Sequence, residues 1–144
     1  MKKHKLIIII VIFINLYSCK KETYVFDENL LIGNWSKTDT NDYQEYYFDK
    51  ENMYAYSLKS GSTLHYIFKM KEDSLYLSLV YQEVKEDFKF YDKIIKIDSI
   101  KMKLENRIFL KVTKNNTLRM FINKEISSND YFKACVQRSD VLSK

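Results

Sequence analysis

Few side chains in this sequence have the type and spacing that catalysis or metal binding requires. Its 144 residues include two histidines, His4 and His65, and two cysteines, Cys19 and Cys135. His65 has no second histidine or cysteine pair beside it, so the sequence indicates no zinc-type site and no Ser-His-Asp or Cys-His arrangement. We therefore expect His65 to face solvent or the edge of the core, and we expect neither a metal ion nor a cofactor.

Carboxylates are the other groups that could do acid–base chemistry, since a pair of them can hydrolyse a glycosidic bond. Turns favour such residues on their own account, which makes solvated turn positions the simpler interpretation. The candidates fall in predicted turns or in one charged loop: Asp49, Glu51, Glu72, Asp73, Glu83, Glu86 and Asp87. We predict that the protein is not an enzyme, and a glycosidase-like acid pair is the enzymatic alternative that the sequence leaves open.

Cys19 is the one thiol with a predicted chemical role. It follows a basic start, nine consecutive apolar residues at positions 6–14, and the tripeptide Leu16-Tyr17-Ser18. This arrangement resembles the signal peptides of bacterial lipoproteins, which are cut before the cysteine so that its thiol carries lipid. The resemblance implies removal of residues 1–18, acylation of Cys19 by chains such as palmitate, and anchoring to the outer membrane of a bacterial cell envelope. An ordinary secretory signal peptide is the alternative.

Charge and cysteine content limit the class of protein further. Without residues 1–18 the chain has 21 basic and 19 acidic residues, so its formal charge falls from +5 to +2. A nearly balanced charge argues against a nucleic acid as partner. If Cys19 carries lipid, Cys135 has no partner for a disulfide, and the domain depends on its core for stability.

The rest of the chain alternates polar and apolar residues with the period of two that is typical of β-strands. Glycine occurs twice and proline not at all, so the turns depend on Asn, Asp, Ser and Lys. The pattern predicts strands at residues 30–35, 44–48, 53–58, 63–70, 75–81, 94–97, 100–104, 108–112 and 118–122. Residues 84–92 suit either a long loop or the start of a strand. Because the connections are too short for parallel crossovers, we predict an all-β antiparallel meander of eight or nine strands.

The pattern changes to a helical period at the C-terminal end. Ser127 and Asp130 have the spacing of a helix-start signature. The apolar residues after them fall near one helical face: Phe132, Cys135, Val136 and Leu142. We predict an amphipathic helix over about residues 128–142 that packs on the sheet, with Cys135 as a small buried residue rather than a reactive thiol.

Gly33-Asn34-Trp35, near the start of the run of hairpins, resembles the first strand of lipocalin and lipocalin-like proteins. The resemblance implies that the strands close into a barrel and that Trp35 plugs one end of it, a structural role that Gly33 shares. Closure also removes the unpaired edge strands of a meander. The predicted organisation is a tether over residues 19–29 and a single barrel domain over residues 30–144, with the helix at its end.

Tyrosine is abundant in the predicted strands, and aromatic walls with a few hydroxyl groups suit small amphipathic ligands. The candidate ligand-binding residues are Tyr54, Tyr56, Tyr66 and Phe68. We predict that a small apolar or amphipathic molecule binds at the open end of the barrel. The alternative is a filled barrel that docks an envelope protein, as accessory or immunity lipoproteins do. Bulky residues at the predicted inward positions favour a narrow cavity or none.

Two tripeptides, Asp73-Ser74-Leu75 and Asp98-Ser99-Ile100, resemble the Asp-Ser/Thr-aliphatic sequon for O-glycosylation that one phylum of Gram-negative bacteria uses. Each also has the composition of a turn that leads into a strand. Modification of Ser74 and Ser99 is therefore a hypothesis.

Overall fold

The structure is a computed structural model that describes residues 27–37 and 42–142. The predicted signal peptide and the predicted acylation site, Cys19, lie outside the described residues. Nine antiparallel strands make up the sheet: β1 (Gly33–Lys37), β2 (Gln44–Phe48), β3 (Asn52–Ser57), β4 (Ser62–Lys71), β5 (Ser74–Tyr81), β6 (Val84–Lys85), β7 (Lys89–Ile97), β8 (Lys101–Leu104) and β9 (Ile108–Lys111).

Eight of these strands close into a barrel, as the sequence predicts. Neighbours in sequence pair with each other, β5 pairs with β7, and β9 returns to pair with β1. The two-residue strand β6 is a short addition that pairs only with the end of β5. The result is a mostly β fold, an antiparallel meander barrel with a C-terminal helix, consistent with the lipocalin-like resemblance.

One end of the barrel, here the closed end, is covered by the chain that enters β1. A turn of 3-10 helix, Glu28–Leu30, leads to Leu31, which is fully buried. Trp35 is also fully buried, and its indole Nε1 donates a hydrogen bond to the Leu31 carbonyl at 2.8 Å. The tryptophan therefore holds the entering segment across the base of the barrel.

Lys111, at the end of β9, completes the closed end. Its Nζ lies 4.1 Å from the centre of the Trp35 ring and donates to the Ile32 carbonyl at 2.6 Å. Gly33 makes room for it, because a Cβ atom there would lie 2.8 Å from Lys111 Nζ, and Gly33 has a φ of +127°. Burial lowers the pKa of Lys111. The spacing of Gly33 and Trp35 thus has a packing explanation at this end.

Two helices pack on the outside of the barrel. The long helix α2 (Ser128–Leu142) has the predicted bounds, and the Ser127 hydroxyl accepts a hydrogen bond from the Asp130 amide at 3.1 Å, as its start signature requires. Tyr131, Ala134 and Cys135 are its buried residues. The prediction that Phe132 belongs to the packed face was wrong, since 47% of Phe132 is exposed and Tyr131 takes that place.

The predicted strand at residues 118–122 is instead a short helix, α1 (Leu118–Ile122). A second group of buried residues, here the outer core, lies between the barrel and the helices: Tyr43, Tyr56, Leu118, Tyr131 and Cys135. Phe121 and Ile122 pack against it together with Leu118, which is the i, i+3, i+4 spacing of a helical face. With β9 already paired to β1, the barrel has no free edge that such a strand could join. Among the described residues, no helix is long and apolar enough to cross a membrane.

Candidate functional site

The barrel interior differs between its two ends. The closed half is filled by large side chains that are almost fully buried: Trp35, Phe48, Met53, Leu75, Met102, Leu104 and Phe109. The other half, at the end that carries the β3–β4 turn, encloses a cavity of about 210 Å³. We call this cavity the mouth chamber and that end the open end. Both halves are compatible with the expectation of a narrow cavity or none, since the closed half is filled and the mouth chamber is small.

Strands β2 to β5 and β7 form the walls of the mouth chamber. Its apolar wall comes from Met53, Ala55, Leu64 and Leu77. Its polar wall comes from Gln44, Tyr46, Tyr66 and Tyr91, with serines at the rim. The chamber thus has one surface suited to a hydrocarbon or ring and one surface of hydroxyl and amide groups.

We call the four polar wall residues the inner cluster. Their side chains use only part of their hydrogen-bonding capacity on one another. The Tyr46 hydroxyl donates to Gln44 Oε1 at 2.7 Å and lies beside the Tyr91 hydroxyl. Within the described residues, the Tyr66 hydroxyl makes no hydrogen bond. Burial raises the pKa of Tyr46, Tyr66 and Tyr91, so all three are neutral phenols at physiological pH. The inner cluster can therefore donate and accept hydrogen bonds without offering a charge.

Tyr91 reaches the chamber because of a β-bulge. In the pairing of β5 with β7, Leu75 opposes Asp92 and Tyr76 opposes Phe90, which leaves Tyr91 as the extra residue. The Arg107 guanidinium lies 4.3 Å from the centre of the Tyr91 ring. Strict alternation would place Tyr91 on the outer face. The sequence pattern left residues 84–92 open between a loop and a strand, so Tyr91 was not among the predicted ligand-binding residues.

Asp92, next to Tyr91, is a buried carboxylate beside the chamber wall. Its Oδ2 lies 3.5 Å from Arg107 Nη1, and neither of these two buried atoms has a hydrogen-bond partner among the described residues. The Asp92 Oδ1 accepts a hydrogen bond from the Lys93 amide at 2.8 Å. The ion pair offsets the charge of Arg107 next to Tyr91.

A second cavity of about 260 Å³ adjoins the mouth chamber, with Tyr66, Leu77 and Tyr91 as the shared wall. We call it the side chamber. Leu79 and Phe90 add apolar surface. Charged residues at its rim come from the loop before β7, Glu86 and Asp87, and from the first residue of β7, Lys89. The free Tyr66 hydroxyl therefore stands at the partition between the two cavities.

The four predicted ligand-binding residues do not form one cluster. Tyr66 and Phe68 lie with the residues of the barrel core, and Tyr66 lines both cavities. Tyr54 and Tyr56 belong to the outer core; Tyr56 borders the mouth chamber, but its ring packs edge-on against Tyr131 at 4.8 Å. The alternation of β3 separates them, since Met53 and Ala55 take the inward positions.

A second polar cluster, the outer cluster, lies between β2 and helix α2. Glu45 is fully buried there and accepts hydrogen bonds from the Tyr43 hydroxyl at 2.6 Å, the Tyr131 hydroxyl at 3.0 Å and Arg138 Nε at 2.6 Å. Arg138 also donates to the carbonyls of Asn115 and Asn116. The outer cluster ties the C-terminal helix and the segment before α1 to the barrel.

Sequence reasoning missed the outer cluster. Glu45 sits in a tyrosine-rich strand and Arg138 in a polar stretch of the helix, so each has the ordinary pattern of an exposed residue. One signal was available: a charged residue at an outward position of a strand that a helix is predicted to cover needs a partner of opposite charge.

The remaining candidate groups lie apart from the chambers. His65 stacks on the Tyr54 ring at 4.6 Å on the outer face of β4, and its Nε2 lies 2.8 Å from Asn52 Oδ1. Cys135 is fully buried, and burial raises the pKa of its thiol to about 12. Ser74 begins β5 with its hydroxyl donating to Asp73, and Ser99 is exposed in the β7–β8 turn. Residues 27–37 and 42–142 contain no group of three His, Cys, Asp or Glu that could hold a metal ion.

Comparison with known protein families, with curated proteins and with solved structures found no match. The geometry of the barrel and the chemistry of its residues are therefore the basis for assigning a function.

Proposed function

We propose that this protein is a lipid-anchored, non-enzymatic envelope protein whose barrel binds a small amphipathic molecule at its open end. The observation that supports this most directly is the Tyr66 hydroxyl, which faces a cavity and has no hydrogen-bond partner among the described residues. Tyr66 is only partly buried, so water reaches this hydroxyl in the free protein and a ligand with a hydrogen-bonding group can take the place of that water.

The two walls of the mouth chamber favour a ligand with two chemically different sides. A hydroxyl, carbonyl or amide of the ligand fits the inner cluster, whose phenols are neutral. A ring or short hydrocarbon fits against Met53, Ala55 and Leu77. Cavities of about 210 Å³ and 260 Å³ are below the range of roughly 300 to 1,000 Å³ that drug-sized ligands occupy, so the ligand is small.

Native mass spectrometry of the protein, purified gently from its own host's envelope, tests this function. We expect a bound mass of small-molecule size that is lost on denaturation. Ala55→Phe fills the mouth chamber and abolishes that mass. Ile67→Phe, which adds a phenyl ring at an outward position of β4, retains it. If the wild type and both variants each show only the mass of the protein, with no added ligand, ligand binding is contradicted.

A filled barrel that docks another envelope protein is the second candidate. Four large apolar side chains near the open end support it, since they are between 39% and 67% exposed: Tyr81, Val84, Phe88 and Phe90. Copurification of a protein in place of a small molecule favours this candidate. Asp or Lys substitutions at Val84 and Phe90 then release the partner, whereas Ala55→Phe leaves the complex intact.

The lipid anchor is tested separately through Cys19. Cys19→Ser removes the thiol to which the diacylglycerol attaches, and we expect the folded domain to leave the membrane fraction of the host. Cys135→Ser is the matched control, because Cys135 is buried and lies far along the chain from the predicted cleavage site. Recovery of the Cys19→Ser protein in the membrane pellet would contradict the anchor.

A further inference from the structure

We propose that the closed end of the barrel, with the adjoining outer face of β7 and β8, docks on an anionic lipid bilayer, so that the open end faces away from the membrane. This inference concerns orientation and does not depend on ligand binding. It rests on three observations, namely a lysine patch, exposed isoleucines beside it and the place where the described chain begins.

The lysine patch consists of Lys96, Lys101 and Lys103. Lys96 lies directly opposite Lys103 in the pairing of β7 with β8, and all three residues are exposed. Like charges directly opposite each other destabilise a sheet. Within the described part of the chain, none of these lysines has an ion-pair partner at its Nζ. An anionic bilayer supplies counter-charge beyond that of the single nearby acid, Asp98, and each lysine near its surface strengthens binding.

One acid, Asp98, lies beside the patch and interacts with the charges of Lys96 and Lys101. Asp98, in the β7–β8 turn, accepts hydrogen bonds from the Ile100 and Lys101 amides at 2.9 Å and 2.8 Å. These bonds, with the charges of Lys96 and Lys101, lower the pKa of Asp98. Asp73, at the neighbouring corner, pairs with Lys93 at 3.0 Å. Because a lowered pKa keeps Asp98 ionised, it offsets one lysine charge, and residues 96–103, with three lysines and one acid, keep a net charge of +2.

Exposed isoleucines lie next to the patch. Ile100, at the β7–β8 turn, is 70% exposed, Ile95 is 46% exposed and Ile32 is 38% exposed. Lys111 joins Ile100 to Ile32, since its amide donates to the Ile100 carbonyl at 2.7 Å while its Nζ donates to the Ile32 carbonyl. Apolar side chains flanked by lysines suit the boundary between headgroups and acyl chains.

The described chain begins at this same end. Asp27 precedes the 3-10 turn that covers the closed end, and seven residues separate it from Cys19. Fully extended, that stretch reaches no more than about 28 Å. A lipid on Cys19 therefore keeps the closed end near the bilayer. This step alone rests on the proposed anchor, which the Cys19→Ser fractionation tests independently.

Residues 82–90, one of the segments at the open end, have the opposite charge balance. They carry three acids, Glu83, Glu86 and Asp87, and two lysines, one of which, Lys89, pairs with Glu86 at 3.0 Å. The exposed apolar residues of this segment therefore lie among net negative charge, which an anionic bilayer repels. The two ends together define one orientation, with the mouth chamber accessible to solutes.

Tryptophan quenching measures this orientation in the processed, full-length protein. Ile100→Trp places a probe at the closed end and Val84→Trp places a matched probe at the open end, both at sites that are at least 67% exposed. Trp35, fully buried, is the only other tryptophan and serves as the internal reference. The protein is mixed with vesicles of phosphatidylethanolamine and phosphatidylglycerol whose acyl chains carry bromine.

We expect bromine to quench the probe at position 100 at least about twofold more than the probe at position 84. Replacing the three lysines of the patch by glutamate removes that difference in quenching. In the Cys19→Ser protein, which lacks the anchor, the same replacement lowers the vesicle-bound fraction at least about tenfold at low salt. With the anchor present, the charge-reversed protein stays on the vesicles but its probe at position 100 is no longer quenched.

Equal quenching at both positions, or quenching at position 84 alone, overturns the proposal. So does an unchanged signal at position 100 after charge reversal, because a protein partner or a second copy of the chain would then be the better occupant of this face. Amide hydrogen exchange of the unsubstituted protein gives a second measurement. We expect anionic vesicles, brominated or plain, to slow amide hydrogen exchange at residues 95–101 relative to vesicles of phosphatidylcholine. If exchange there is not slowed, the proposal is contradicted.

Discussion

Two polar clusters lie on opposite faces of strand β2, and one peptide bond separates them. Glu45 points outward into the outer cluster, where both of its carboxylate oxygens have partners. Tyr46 points inward into the inner cluster, where a neighbouring hydroxyl, that of Tyr66, is free and a cavity remains. Both clusters are built largely from tyrosine, yet one is closed and the other is open.

The outer cluster fixes the structure, and the inner cluster is available to a ligand. A buried charge must be paired, so the outer cluster specifies where helix α2 docks. Neutral phenols beside a cavity tolerate an exchange of partners between water and a ligand. The burial of a polar group therefore carries little functional information until its unused hydrogen-bond capacity is counted.

The largest expected effect comes from breaking the outer cluster. Arg138→Ala leaves Glu45 fully buried without its cation, and we expect it to lower the free energy of unfolding by about 3–5 kcal/mol. The denaturant midpoint of the unfolding transition measures the loss. Arg119→Ala is the matched control, because Arg119 pairs with Glu125 at 2.9 Å on the surface, and it costs no more than about 1 kcal/mol.

A loss for Arg138→Ala as small as that for Arg119→Ala would mean that the outer cluster is not a closed, desolvated unit. In that case water would reach Glu45, and the contrast between the two clusters would disappear.

Alkaline pH affects both clusters in the same direction. Burial raises the pKa of Tyr131 and Tyr43 in the outer cluster and of Tyr46 in the inner cluster, and raises that of Cys135 to about 12. In the unfolded chain a cysteine ionises near pH 8.5 and a tyrosine near pH 10. The unfolded state then binds fewer protons than the native state, so stability is lost as pH rises.

We expect the loss to begin at about pH 8.5 and to steepen above pH 10, by up to about 1.4 kcal/mol per pH unit for each buried group. Urea unfolding between pH 7 and pH 11 measures it. Tyr46→Phe reduces the slope above pH 10, whereas Tyr81→Phe, at a site 67% exposed, leaves it unchanged. A constant midpoint across this range would show that the buried phenols are not protected from ionisation.

Much of the fold follows from local pattern. The period of two located most strands of the barrel, and Ser127 and Asp130 marked the start of helix α2. The first strand was placed too early, since β1 begins at Gly33 after a 3-10 turn, and β7 begins at Lys89, inside the stretch that suited either a loop or a strand. Residues 118–122 were misplaced because five apolar-rich residues suit a strand or a helix equally. Only the closure of β9 on β1 decides between them.

The candidate site was less accessible to sequence reasoning. Tyr66 was identified, because it alternates regularly along β4. Tyr91 was not, because residues 84–92 suit a loop as well as a strand. The bulge adds a second obstacle, since it reverses the side of the sheet that Tyr91 faces and has no reliable signature in a single sequence. The pairing of Glu45 with Arg138 joins residues 93 positions apart, which only the assembled structure brings together.

The smallest effect on stability, and the sharpest test of the comparison, comes from removing single hydroxyl groups. Tyr66→Phe deletes a hydroxyl without a partner in the described structure, so we expect unfolding free energy to change by no more than about 0.5 kcal/mol. Tyr131→Phe deletes a donor to the buried Glu45 carboxylate and costs about 1–3 kcal/mol. Paired denaturation curves give the difference directly.

Ligand binding should reverse that order. Tyr66→Phe loses one hydrogen bond to the ligand within the mouth chamber, so we expect it to weaken binding by about tenfold. Tyr131→Phe lies on the other side of β2 and leaves the affinity of the folded protein unchanged. The bound fraction in native mass spectra at graded ligand concentration measures both. Equal weakening by the two variants would mean that the outer cluster shapes the chamber, and the division of labour between the two faces of β2 would have to be abandoned.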